Sequence, residues 1–134
     1  MTITSVRHER RIAAPAATVW RVIAGPESIV EWFPGVDACR LDGAVRYITL
    51  RSGIEMPEEI VTVDATLRRF QYRITAPIYR FHLGTIDVHE LDASSSLCVY
   101  STTADPGIMA ILVGGGSWRA LGEIERLALA TQEG

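Results

Sequence analysis

The segment from Asp105 to Ala130 is the one part of this 134-residue chain long enough to form a helix that covers a whole sheet. Asp105 can cap free backbone N–H groups, and Pro106 suits a first helical position because it has no hydrogen bond to lose there, so a helix is predicted to start at this pair. In its second half, Arg119, Glu123 and Arg126 share one face, while Trp118, Leu121, Ile124, Glu125 and Ala128 spread over the other. The spacing predicts an amphipathic helix with Trp118 turned inward as a floor. The first half, Ile108 to Val113, is apolar all round and runs into Gly114, Gly115 and Gly116. Each of these costs about 1 kcal/mol against Ala in a helix interior. Two explanations fit: a kink or break between shorter helices, or a helix face stripped of side chains to leave room for a ligand.

What this helix would cover follows from the preceding residues. Thr2 to Ala13 alternates as a strand, with Val6, His8, Arg10 and Ile12 on one face. Pro15 to Gly25 reads as a short helix and Pro26 to Trp32 as a second, stopped by Phe33-Pro34-Gly35. Six strand-like runs follow, Val36–Leu41, Ala44–Leu50, Ile54–Val63, Arg69–Thr75, Phe81–Leu91 and Leu97–Ala104. The turn signals between them point to an antiparallel meander rather than parallel βαβ units. With no linker or repeat to divide it, residues 1–134 read as one domain of α+β class, a seven-stranded curved antiparallel sheet whose concave side takes the long helix.

If Arg51 to Gly53 is the turn between the third and fourth strands, facing residues have numbers that sum to about 104. Leu50 then faces Ile54, Ile48 faces Met56 and Arg46 faces Glu58, on a face that is otherwise apolar. An ion pair is therefore expected inside, where it would mark the polar end of a cavity, orient a carbonyl or carboxylate, or move protons if burial raises the Glu58 pKa. Its bland counterpart is a pair half in water at a strand end, contributing little. Alternation adds Phe70, Tyr72 and Ile74, then His82, Gly84, Ile86 and Val88, then Cys98, Tyr100, Thr102 and Ala104 as inward sets. His8, Trp32, Ile48, Met56, Phe70, Tyr72, His82, Tyr100 and Trp118 join Arg46 and Glu58 as cavity candidates, with Trp32 and Phe33 placed as a lid. Glu58, Arg46 and His82 are the candidates for chemistry, and His89 points outward. A histidine on an apolar face is more often a satisfied core residue than a catalyst, and tyrosines there more often pack than react.

Composition removes other classes. All 13 basic residues are Arg, which excludes Schiff-base chemistry, and a net charge of −3 with scattered arginines offers no nucleic-acid footprint. The absence of a long apolar run or leader-like start argues for a cytoplasmic chain without membrane insertion. Cys39 and Cys98 stand apart, the three histidines lack metal-ligand spacing, and phosphate-loop, dinucleotide and nucleophile-elbow motifs are missing. Neither metal nor cofactor is expected.

The order strand, two short helices, six strands and long helix resembles the START-domain and polyketide cyclase/dehydrase superfamily, also called SRPBCC. The likeness is carried by Ala14-Pro15 with Val19-Trp20, Trp32 with Pro34-Gly35-Val36, Gly43-Ala44-Val45-Arg46, Glu58 with Ile60 and Asp64, Phe70 with Tyr72-Arg73-Ile74, and Asp105-Pro106. The resemblance implies a helix-grip fold that binds a hydrophobic small molecule between sheet and helix. An enzyme similar to the polyketide cyclases, using Arg46 and Glu58 or His82, is the alternative. A third reading is an interaction module in which Ile108 to Val113 contacts another chain, a homodimer included.

Overall fold

The computed structural model describes residues 2–133. β1 (Thr4–Ile12) leads into α1 (Ala16–Ile23), a 3-10 turn over Pro26–Ser28 and the short α2 (Ile29–Trp32). Then come β2 (Val36–Asp42), β3 (Val45–Leu50), β4 (Glu55–Asp64), β5 (Arg69–Ile74), β6 (Phe81–Asp92), β7 (Ser95–Asp105) and α3 (Gly107–Glu133). The seven strands form one antiparallel sheet in the order β1-β7-β6-β5-β4-β3-β2. Every neighbour but β1 is a sequence neighbour, because short turns join antiparallel strands without a crossover. β1 closes against β7, with Thr4 opposite Ala104 and Ile12 opposite Ser96.

The turn arithmetic is met: Arg46 pairs with Glu58 and Ile48 with Met56, and the Leu50 N–H donates to the Ile54 carbonyl at 2.8 Å. Gly53 supplies the positive φ of +89° in that turn. Bulges at Val36/Ala38, Ile60/Thr62 and Glu90/Asp92 break the ladder locally. Each adds bend and twist, which lets the sheet curve around a helix.

α3 is continuous through Gly114–Gly116, so the break, one of the two explanations for these glycines, is absent. A Cβ on Gly114 would stand 2.8 Å from Val6 Cγ1, and one on Gly116 would stand 2.8 Å from Phe33 Cζ. Two of the three glycines thus let the helix approach β1 and the α2 end closely, and packing there offsets their poor propensity. The helix starts later than expected. Asp105 is still strand, opposite Phe81 and accepting the Arg80 N–H at 2.7 Å, so it does not cap α3.

The core runs along the concave face. Ala120, Leu121, Ile124 and Ala128 of α3 pack with Ile12, Ile86, Val88, Cys98 and Tyr100 of the sheet and Val19, Trp20 and Ile23 of α1. Each fully buried Leu, Ile or Phe contributes roughly 1.5–3 kcal/mol. Trp118 departs from the expected floor position: it is 51% exposed, lying over His8 at 5.6 Å between ring centroids and 5.9 Å from the Arg10 guanidinium carbon. Glu125, also expected inside, is drawn to the helix flank by Arg10 at 2.9 Å. Ile108, Ile111 and Leu112 are exposed. No helix among the described residues is long and apolar enough to cross a membrane.

Candidate functional site

Between the β2–β5 half of the sheet and the first half of α3 lies a cavity of about 200 Å3. Its wall is built from Ile29 of α2, Phe33 and Val36 beyond it, Ile48 and Leu50 of β3, Met56 and Glu58 of β4, and Tyr72 and Ile74 of β5. Tyr79, in the link before β6, and Leu112, Val113 and Gly116 of α3 complete it. Gly116 serves both purposes, since a side chain there would push Phe33 and narrow the space.

Glu58 is the only charged residue on that wall among the described residues, and it is 3% exposed. Behind it Arg46 is completely buried. Arg46 Nε donates to Glu58 Oε1 at 2.8 Å and Nη1 to the Pro26 carbonyl at 2.8 Å, while Nη2 has no hydrogen-bond partner among the described residues. The guanidinium carbon lies 4.8 Å from the Tyr72 ring centroid and 5.2 Å from that of Phe70, so the aromatic faces replace part of the lost hydration. Burial raises the Glu58 pKa above the ordinary carboxylate value, against the pull of Arg46.

Tyr72 bridges the cavity to the core. Its hydroxyl pairs with that of Tyr100, and burial raises both phenol pKa values. The ring fits because Gly84 faces it across the strands: a Cβ there would come within 2.5 Å of Tyr72 Cζ. His82 is 1% exposed; its Nδ1 accepts the Ile74 N–H at 2.9 Å, and Nε2 has no partner among the described residues. Burial first, and then the positive Arg73, lower its pKa to about 4, so it is a neutral imidazole at pH 7. Burial likewise pushes the Cys98 thiol up to about 12 and keeps it unreactive.

Of the candidates named from sequence, Ile48, Met56, Glu58 and Tyr72 line the cavity. Arg46, Phe70, His82, Tyr100 and Trp32 are buried behind that wall, Trp32 tied by its Nε1–H to Ser28 Oγ at 3.0 Å. His8 and Trp118 lie apart, over β1. Phe33, expected in a lid, is in the wall itself. Ile29, Val36, Tyr79, Leu112 and Val113 were not singled out from sequence. The apolar run at 108–113 carried a signal for the two α3 residues, but Tyr79 sits in a link without periodicity. No group of three or more His, Cys, Asp or Glu residues suited to hold a metal occurs among the described residues.

A curved sheet gripping a C-terminal helix over a small, mostly apolar cavity defines a helix-grip protein. The profile of the family described as polyketide cyclase/dehydrase and lipid transport matches residues 4–128. The chain belongs to that family. Among solved structures it is similar to the protein XoxI from Bacillus cereus, with a TM-score of 0.84 and 25% identity over 98% of this chain and 99% of that one. It also superposes on norcoclaurine synthase from Thalictrum flavum, with a TM-score of 0.79 and 18% identity over 98% and 97% of the two chains. The Zhui aromatase/cyclase from a Streptomyces species gives a TM-score of 0.71 and 20% identity over 98% and 94%. At those identities the last two likenesses concern the fold. A search of curated sequences finds no match.

Proposed function

We propose that this protein, acting as one domain, binds a hydrophobic small molecule in the cavity between the sheet and α3. The observation that carries this reading is the cavity itself: about 200 Å3 walled almost entirely by apolar side chains, with one carboxylate and two phenols for orientation. Pockets for drug-sized ligands are typically ~300–1,000 Å3, so the ligand is a single ring or short chain rather than a polycycle. Native mass spectrometry of the purified protein tests the reading. A co-purified apolar compound, or uptake of a supplied one, is the expected result; a chain that takes up none of a panel of small apolar compounds would refute it. The interaction reading needs a dimer in the same spectrum that Ile111→Glu dissociates, since Ile111 is 58% exposed.

A second reading, an enzyme similar to the cyclase/dehydrases, is favoured by Glu58 alone. A buried carboxyl of raised pKa on a cavity wall is suited to proton transfer. Arg46 and His82 do not reach that wall and would act only through Glu58 and β5. Glu58→Gln separates the two readings: turnover lost with affinity kept supports catalysis, and affinity and turnover lost together support orientation only. Arg46→Ala is not a clean probe, because it leaves Glu58 buried without its partner.

A further inference from the structure

The polar end of the cavity is not symmetrical with respect to charge. Arg46 spends its Nε on Glu58 Oε1 and its Nη1 on the Pro26 carbonyl, and its guanidinium lies over the Phe70 and Tyr72 rings, behind the wall. Glu58 lies on the wall, and its Oε2 has no hydrogen bond within the protein among the described residues. What an occupant meets is therefore an acceptor oxygen, with the balancing positive charge screened behind it. Of the two phenols on the wall, the Tyr72 hydroxyl is occupied by Tyr100, and Tyr79 adds an uncharged hydroxyl that leaves Glu58 as the one charge met there among the described residues. No Arg or His side chain among the described residues lines the space.

We infer that the cavity selects an uncharged ligand carrying a hydroxyl donor, a phenol or small alcohol, which gives its hydrogen to Glu58 Oε2, and that it rejects carboxylates. The inference rests on the binding reading above and deepens it. An anionic end would face the buried Glu58 carboxylate across a mostly apolar space, where like charges repel more strongly than in water. A cationic end would leave the Arg46–Glu58 pair with one uncompensated positive charge, an equally costly arrangement in so apolar a space. A neutral hydroxyl satisfies Oε2 and adds no charge, and hydrogen bonds to a charged acceptor are the stronger kind. This narrows the expectation that the Arg46–Glu58 pair would orient a ligand carbonyl or carboxylate.

Three probes of one size decide it: ethylbenzene, para-ethylphenol and para-ethylbenzoate, titrated calorimetrically against the purified protein at pH 7. Expected is para-ethylphenol binding roughly tenfold or more tightly than ethylbenzene, with para-ethylbenzoate weaker than both. In Glu58→Gln the phenol's advantage should shrink and the benzoate's disadvantage disappear. Equal affinity for all three, or preference for the benzoate, would overturn the inference while leaving an occupied apolar cavity. Failure of all three to bind would overturn the binding reading and this inference with it. The wild-type series decides the matter even if Glu58→Gln does not fold.

Discussion

His82 is a residue whose strand alternation placed it correctly and whose role the alternation could not give. Its Nδ1 accepts the Ile74 N–H, so protonating that nitrogen breaks a backbone hydrogen bond and puts a charge in the core beside Arg73. A pKa lowered from 6.5 to about 4 means that the stability it contributes is present above pH 6.5 and is lost as pH falls through 4. Over that interval the loss amounts to about 3 kcal/mol. His82→Leu removes the titration and, at pH 7, costs roughly 1–3 kcal/mol for the orphaned Ile74 N–H. The expected outcome is that wild type is the more stable at pH 7 and that its advantage shrinks by about 3 kcal/mol by pH 4. Urea denaturation of both proteins at the two pH values measures this. A constant difference would mean that His82 does not resist protonation in the fold. Glu58 works in the opposite sense, since its raised pKa gives stability below about 4.5 that is lost as pH rises, and comparing the two proteins cancels its effect.

At the scale of elements, the register of β3 against β4 was legible because one short turn fixes it, and a one-residue slip would have turned Arg46 and Glu58 outward. The facing of α3 was less so. A helical wheel gives the average apolar direction, yet Trp118 sits at the edge of that face, where His8 and Arg10 offer it a seat on β1. The glycine run was the least legible, because its meaning lies in atoms about a hundred residues away in sequence. Gly114 and Gly116 would bring a Cβ to 2.8 Å from Val6 and Phe33, whereas nothing lies within 4 Å of the corresponding position at Gly115. Gly115→Ala is therefore expected to raise stability by about 1 kcal/mol through helix propensity. Gly114→Ala should lose that gain against the stiff Val6 side chain. Gly116→Ala should instead displace Phe33 and weaken ligand binding more than stability. Thermal unfolding of the three variants, with and without para-ethylphenol, reads these differences; equal stabilisation by all three would show that the helix does not approach its neighbours this closely.

For the whole molecule, the division between a filled and an open half was invisible in the sequence, because inward-facing residues look alike whether they meet a side chain or a space. Tyr100 and Tyr72 were both predicted to face inward; one is buried in the core beside Trp32 and the other forms part of the cavity wall. The wall draws on α2, β2 to β5, the link to β6 and the front of α3, whereas the rear of α3 packs on β1, β6 and β7 and the Gly114 backbone of its front also lies against Val6 of β1. That geometry predicts where ligand energy appears. An opening of the α3 front releases the ligand, so amides there should exchange roughly 100-fold more slowly at about 100 times Kd. Fraying of β1, an edge strand outside the wall, leaves the ligand in place and should exchange at an unchanged rate. Hydrogen exchange followed by mass spectrometry, with and without ligand, separates peptides covering 108–116 from those covering 4–10. Equal slowing in both would place the two halves in a single opening unit, and slowing confined to β1 would put the ligand elsewhere. The expected contrast follows from the chain's topology: β1 is an edge strand held on β7 that contributes nothing to the cavity wall among the described residues, so it can fray while the ligand holds the front of α3 closed.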